Sequence, residues 1–465
     1  MRFSLAAAFV LLATACAMGQ PAALDQPTAT VQPAAVVQPK RTLIRAEIIK
    51  TMAKPVLADA PASDNTIRDG IILIEDGLIT YVGPATGAGA PTATDANTRT
   101  ITTKVATPGL IDGRSTVGLS GLFNTKHDSD QLERSAPLQP ELRAIDAFNA
   151  ADPLVAYVRS LGITTIHTGH APGELISGQT MIVKTVGGTV EASTLVPAAM
   201  VTATLGPSAQ RGGKEAPGTR SKQIAMLRAE LIKAQEHKAK RMARANAPAP
   251  APATTPAAAV TPAAAVTPAP ASPAEPEPLS RDLRVEALID VLDGKLPLLI
   301  TANAQQDIMS ALRLAAEFKF TLVLDSAAEA QTVLPELVAA KVRVIAHPPM
   351  MRAYGELKNI SFTTPAALRR AGIPFTIQSG YESYVPKTRI VLFEAAISAA
   401  NGLSGDEALA MITRDAAEIL NISSKVGSLE VGKHGDVACF DGDPFEYTTH
   451  VTATVINGVV FEQGR

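Results

Sequence analysis

The chain has 465 residues, a formal net charge of −2 at pH 7 and 18% charged residues. This balance argues against a general electrostatic affinity for nucleic acid or for an anionic membrane surface. Hydrophobic residues make up 46% of the chain, which suits a globular protein with a sizeable core. The length allows one large barrel-type domain with a smaller companion.

The N-terminal sequence "MRFSLAAAFVLLATACAMGQ" is typical of a secretory signal. Arg2 precedes the apolar run 5–12, which is too short to cross a bilayer, and small residues follow it. The alternative is a plain apolar helix. We predict that residues 1–19 are a signal peptide and that the protein is exported, to a periplasmic or outer-membrane-associated location in a Gram-negative bacterium.

Cys16, in "LLATAC", allows two interpretations. It resembles the cysteine of a lipoprotein cleavage site, which would become a lipid anchor. With ordinary cleavage beyond Cys16, Cys439 is the one cysteine left, so neither an internal disulfide nor a cysteine metal cluster can form. No other apolar run predicts a transmembrane span.

Both ends of the remaining chain have β-strand patterns. Residues 20–40, rich in Ala, Pro and Gln, predict a flexible leader. Strand-like runs follow, from "TLIRAEIIKTM" to "TTKVATPGLID", and Asp76-Gly77 indicates a hairpin. The tail is again strand-like. We expect residues 41–107 and 425–463 to fold together as one discontinuous small domain.

The central region, residues 108–424, alternates between strand and helix patterns. Four strand-then-helix units begin at "LPLLITA", "TLVLDSA", "VRVIAHPP" and "IPFTIQS", which predicts a parallel sheet. A closed (β/α)8 TIM-type barrel is the leading α/β architecture, and a doubly wound open sheet is the alternative. Residues 247–278 are rich in Ala and Pro and predict a disordered insertion in this domain.

Several segments together resemble the amidohydrolase superfamily, and in particular its imidazolonepropionase-like members. They are "PGLID", "LSGDEALAMITRDAAEILNI", "VGSLEVGKHGDVACFDGDP" and "VTATVINGVV". The resemblance implies a (β/α)8 barrel, a composite β-sandwich made from both termini, and hydrolysis of carbon–nitrogen bonds. It also implies zinc or another divalent metal, which activates a water molecule.

The expected metal ligands are missing from the four strands that should carry them. The first strand should offer two histidines, two later strands one histidine each, and the last strand an aspartate. The residues found at these positions are Arg114, Thr116, Thr301, Asn303, Asp325, Ser326, Ser379 and Gly380. A permanent cation at Arg114 opposes the binding of a second cation. We therefore predict no metal ligand and no bound cofactor from these positions.

Other residues could replace the lost site. Arg114 could mimic the charge of the metal or could simply be neutralised by a carboxylate such as Asp112. His167 and His170 could bind a metal or hydrogen-bond locally, and Glu382 is the nearby group able to act as a base. Our predicted catalytic residues are therefore His167, His170, Glu382 and Arg114.

Three further residues have weaker claims. His127 and His347 follow predicted strands, with a structural role for His347 as the alternative. Lys184 resembles the metal-bridging lysine of some relatives, but a solvent-facing strand lysine is the favoured interpretation.

Two functions remain open. The first is an exported hydrolase that acts on non-peptide carbon–nitrogen bonds of a small molecule or modified dipeptide, with an atypical or lost metal site. The second is an inactive relative that binds a ligand or a partner protein in the same cavity. A small molecule is the expected substrate or ligand, and a homo-oligomer is the expected assembly.

Overall fold

A computed structural model describes residues 41–55, 65–87, 89–91, 97–123, 125–245, 281–382 and 389–463. The predicted signal peptide at 1–19, Cys16, the leader at 20–40 and the insertion at 247–278 lie outside the described residues. Within the described ranges, no helix is both long enough and apolar enough to cross a membrane.

The described chain forms a mixed α/β fold. Its strands are β1 Arg41–Lys50, β2 Thr66–Glu75, β3 Leu78–Pro84, β4 Thr98–Pro108, β5 Leu110–Ser115, β6 Ile163–Thr168, β7 Ile176–Gln179, β8 Met181–Lys184, β9 Thr194–Val196, β10 Val201–Thr204, β11 Leu298–Thr301, β12 Leu322–Ser326, β13 Arg343–Ala346, β14 Phe375–Ile377, β15 Val437–Phe440, β16 Val451–Ile456 and β17 Val459–Glu462. Its helices are α1 Pro153–Ser160, α2 Val190–Ser193, α3 Arg220–Ala245, α4 Leu283–Leu292, α5 Gln305–Phe318, α6 Leu334–Ala340, α7 Thr364–Arg370, α8 Val391–Ala400, α9 Gly405–Met411 and α10 Arg414–Ile419.

A seven-stranded sheet combines strands from both predicted β-rich regions, in the order β17-β16-β15-β4-β1-β2-β3. The central contact joins β4 to β15 in antiparallel register, from Val105 opposite Phe440 to Pro108 opposite Val437. The predicted hairpin at Asp76-Gly77 joins β2 to β3, and both of its turn residues have positive φ. Apolar side chains from both regions, most of them Ile, Ala and Val, fill one cluster. That these strands form a β-sandwich stays a prediction.

The central region contains two further sheets, ordered β14-β13-β12-β11-β10-β7 and β5-β6-β8-β9. Strands β10 to β14 are parallel to one another. Each strand from β11 to β14 is followed by a helix, α5 to α8 in turn. The four strand-then-helix units predicted from the sequence are therefore confirmed.

Two strands depart from the all-parallel arrangement that a (β/α)8 barrel requires. Strand β8 is antiparallel to β6, and β7 is antiparallel to β10. The connection 169–175, between β6 and β7, is too short for the crossover helix that a parallel return needs, so the chain turns straight back. Barrel closure is consistent with this arrangement and stays a prediction.

Candidate functional site

Buried polar side chains collect at the carboxyl ends of β5, β12 and β14 and in the first turn of α8. Carboxyl ends of neighbouring parallel strands meet at one rim, which is where barrel-type folds place their chemistry. Five of these residues are at most 1% exposed, and they are Asp112, Arg114, Asp325, Ser379 and Glu394. We call this set, together with His170, Tyr381, Glu382 and Arg389, the rim cluster.

Arg114 lies at the centre of the rim cluster. Its Nη2 donates to the backbone carbonyl of His170 at 2.7 Å, and its Nε lies 3.6 Å from Oδ2 of Asp325. Among the described residues, neither Nε nor Nη1 has a hydrogen-bond partner. A buried guanidinium with unsatisfied donors is costly for the fold, so it marks a place where a ligand can bind.

Asp325 is held by one side chain from the neighbouring strand β11 and by one side chain that follows β14. Thr301 Oγ1 donates to it at 2.5 Å, and Gln378 Nε2 donates at 2.8 Å. Together with the contact to Arg114, these bonds engage both carboxylate oxygens. Thr301 and Asp325, two of the residues that stand where the family resemblance led us to expect histidines, hold each other and the arginine.

Asp112 is bonded to Ser379, which stands where the family resemblance led us to expect an aspartate. Its Oδ1 accepts from the backbone N–H groups of Ser379 and Arg114 at 3.0 and 3.2 Å, and its Oδ2 accepts from Ser379 Oγ at 2.5 Å. Burial raises the pKa of Asp112 from 3.8 to about 6, although these hydrogen bonds lower it. A part of the Asp112 population is therefore protonated near neutral pH.

The two predicted histidines differ in whether their ring nitrogens have hydrogen-bond partners. His167 is held at both ring nitrogens: Nδ1 donates to the carbonyl of Gly113 at 2.8 Å, and Nε2 lies 2.7 Å from Thr180 Oγ1. Burial and the charge of Arg114 lower its pKa to about 3. The structure thus places His167 in a local hydrogen-bond network rather than open to a ligand.

His170 is different, because neither of its ring nitrogens has a partner in the part of the chain that the structure describes. The ring packs against Gly178, where an added Cβ would lie 2.4 Å from its Cδ2. Burial and the nearby Arg114 lower the pKa of His170 to about 4. His170 is therefore a neutral imidazole that offers one donor and one acceptor beside Arg114.

Glu382 is engaged by an arginine. It forms an ion pair with Arg389, a residue for which sequence analysis gave no role. Gly380, with φ +102°, makes this pairing possible, because a Cβ at that position would lie 2.8 Å from Glu382 Oε2. Tyr381 lies beside them, and burial followed by the charges of Asp325 and Glu382 raises its pKa well above its usual value.

Glu394 was also missed by sequence analysis. It is the one charged residue of α8, whose sequence is "VLFEAAISAA". A lone carboxylate in an otherwise apolar buried helix is the signal that could have identified it. Its Oε2 accepts from the backbone N–H of Met350 at 2.9 Å.

The remaining candidates lie away from the rim cluster or are held by local bonds. His127 is exposed, with Nε2 3.4 Å from Thr125 Oγ1. His347 contacts the Pro348 carbonyl at 3.0 Å through Nδ1 and Thr364 Oγ1 at 3.3 Å through Nε2, which supports the structural interpretation.

The interpretation of Lys184 as a solvent-facing residue is wrong. Its side chain is buried and forms an ion pair with Asp436, which immediately precedes β15. The reason is tertiary: the seven-stranded sheet covers the end of β8 and supplies the carboxylate. The same contact leaves Lys184 paired within the fold instead of near the rim cluster.

Comparisons with known proteins identify relatives. The model of the amidohydrolase family matches residues 282–461. Amidohydrolase tasK of Hapsidospora irregularis is 24% identical over 423 residues, covering 87% of this chain and 41% of that protein. The chain thus spans about two fifths of the length of this curated relative.

Solved structures show the same fold. An amidohydrolase from Thermotoga maritima MSB8 matches with a TM-score of 0.76 at 23% identity, covering 91% of this chain and 100% of the other. Molinate hydrolase matches with a TM-score of 0.51 at 14% identity, covering 91% of this chain and 95% of the other. At these identities the similarity concerns the fold alone.

Proposed function

Since the chain belongs to the amidohydrolase superfamily, we propose that it hydrolyses non-peptide carbon–nitrogen bonds of a small molecule, with a buried arginine in place of a metal ion. The observation that supports this proposal is at Arg114: the residue is 1% exposed, and two of its guanidinium nitrogens have no hydrogen-bond partner among the described residues.

The residues of the rim cluster do not fit the divalent metal that the superfamily implies. Within the described ranges, no group of three or more His, Cys, Asp or Glu side chains is arranged to hold a metal ion. The oxygens of Asp325 are engaged by Thr301, Gln378 and Arg114, and both ring nitrogens of His167 have partners. A guanidinium among these groups would also repel a second cation.

Arg114 can perform part of the work of a metal. Its unpartnered N–H groups can donate to the carbonyl oxygen of an amide or lactam and stabilise the negative charge that develops on this oxygen during attack by water. His170, neutral and unpartnered at its ring nitrogens in the described part of the chain, can orient the same group through one further hydrogen bond. No step requires a metal.

We further infer that the central sheets close into a barrel between β5 and β14. This closure is supported by the backbone bridge between Ser115 and Gly380 and by the hydrogen bond from Gly380 N to Arg114 O at 3.3 Å. The protein acts after export, which is supported by the signal-type composition of residues 1–19.

A second candidate function is ligand binding without turnover. It is favoured by the engagement of Glu382 with Arg389 and by the two bonds of His167, which leave two predicted catalytic groups occupied. Arg114 would then bind a carbonyl-bearing ligand.

The test measures amine release by the purified protein from N-acetylglycine, 2-pyrrolidone and an N-acetyl dipeptide, with and without a chelator. We expect turnover of at least one compound, no effect of the chelator, and a loss of roughly 10²-fold to 10³-fold in kcat for Arg114→Met. Arg143→Met, which removes an exposed ion pair with Asp146, is the matched control.

Three results would contradict the proposal. Activity that disappears with chelator and returns with zinc would establish a metal enzyme. Binding of these compounds by calorimetry with no turnover would establish the ligand-binding function. Equal rates for Arg114→Met and Arg143→Met would remove Arg114 from the chemistry.

A further inference from the structure

Some carboxyl groups of the rim cluster have an oxygen without a hydrogen-bond partner among the described residues. Glu394 is the most deeply buried of these groups. Its residue exposure is 0%, and within the described residues its Oε1 has no hydrogen-bond partner. Its other oxygen is fixed by the N–H of Met350, so the direction of Oε1 is set by the fold rather than by side-chain rotation. A buried acceptor without a partner points to a ligand or a water molecule.

The groups around Glu394 connect it to Arg114. Asp112, which accepts the backbone N–H of Arg114, lies close enough to act on Glu394 electrostatically, as do Arg389 and Glu382. Burial raises the pKa of Glu394 to about 7; the Met350 N–H and Arg389 oppose this, and the carboxylates of Asp112 and Glu382 add to it. A carboxyl with this pKa can both accept and return a proton near neutral pH.

Glu382, the base expected from sequence, is less suited to this role. Its carboxylate is committed to Arg389, and 24% of its side chain is exposed to solvent. Glu394 has the complementary properties, because it is buried and one of its oxygens is not committed to any described residue.

We propose that Glu394, rather than Glu382, is the general base of this site; the inference rests on the proposed hydrolase function. The Glu394 carboxylate takes a proton from a water molecule, and the oxygen of this water bonds to the carbonyl carbon of the substrate. The carbonyl electron pair moves to its oxygen, where Arg114 stabilises it. When the pair returns, the carbon–nitrogen bond breaks and Glu394 gives its proton to the leaving nitrogen, which yields a carboxylic acid and an amine.

The experiment compares Glu394→Gln and Glu394→Asp with the unaltered protein, on whichever of the three panel compounds the unaltered protein hydrolyses. Gln keeps an acceptor for the Met350 N–H, so the fold should survive, and circular dichroism checks this. Glu418→Gln, an exposed change on helix α10, is the matched control. We expect Glu394→Gln to lose roughly 10²-fold to 10⁴-fold in kcat while binding the same compound with KM within a factor of about three.

The pH profile separates catalysis from a structural role. The unaltered protein should show an acidic limb near pH 7 in kcat, Glu394→Asp should keep a displaced limb, and Glu394→Gln should lose it. Full activity of Glu394→Gln with an unchanged profile would overturn this inference and leave the proposed hydrolase standing. No turnover by the unaltered protein would overturn both.

Discussion

Replacing Asp112 by Asn should stabilise the folded protein at alkaline pH. Burial raises the pKa of Asp112 from 3.8 to about 6. Each pKa unit corresponds to about 1.4 kcal/mol, so the charged carboxylate costs the folded state about 3 kcal/mol. Asn is isosteric: its Oδ1 can accept the two backbone N–H groups, and its Nδ2 can donate to Ser379 Oγ.

The sign of the pH dependence follows from the direction of this shift. Because the folded-state pKa is raised, the stabilisation from Asp112 is complete below pH 3.8 and is lost as the pH rises through about 6. The free energy of unfolding of Asp112→Asn should therefore exceed that of the unaltered protein by about 1 kcal/mol at pH 4.5 and by about 3 kcal/mol at pH 8.

The assay is unfolding in guanidinium chloride at both pH values. The chain has no Trp, so circular dichroism is the suitable signal. Asp130→Asn, at an exposed position, is the control for the loss of a negative charge. The reasoning is refuted if Asp112→Asn is no more stable than the unaltered protein at pH 8, or if the difference is the same at both pH values.

Two further predictions test the contacts of Lys184 and of Arg114. Lys184→Met should destabilise the protein by about 3–5 kcal/mol, measured by urea unfolding, because it leaves the buried Asp436 without its cation; the additional change Asp436→Leu should recover part of this loss. Arg114→Met should raise the pKa of His170 from about 4 toward its usual value, because a neighbouring cation is removed while burial stays; proton NMR titration of the ring measures this, and an unchanged midpoint would contradict it.

The sequence could predict the elements whose formation depends on residues within the same short segment. The strands and helices from β11 to α8 follow from apolar periodicity within each segment, and the hairpin at Asp76-Gly77 follows from two residues that tolerate positive φ. No local sequence pattern predicts the reversed chain direction of β7 and β8, because it depends on how the short connection 169–175 packs.

The sequence predicted site residues that lie on strands or at strand ends. It did not predict the residues that pair with them from distant parts of the chain. Arg114 was named because it stands where the family resemblance implies a metal-binding histidine, and His170 because it lies at the end of a predicted strand. The pairing of Glu382 with Arg389 and the covering of Lys184 by Asp436 depend on tertiary contacts that no local pattern encodes. Glu394 alone carries a local signal, since it is the single charged residue of helix α8.

The position of β4 beside β15 has a consequence for the newly made chain. At about 5–20 residues per second, roughly 15–65 s of synthesis separate Pro108 from Val437, and until then the edge of β4 that β15 will cover lacks its neighbour. An open strand edge of this kind pairs readily with strands of other molecules. We therefore expect nascent chains that stop before β15 to aggregate or to be held by chaperones, even when every strand of the central sheets has already been made.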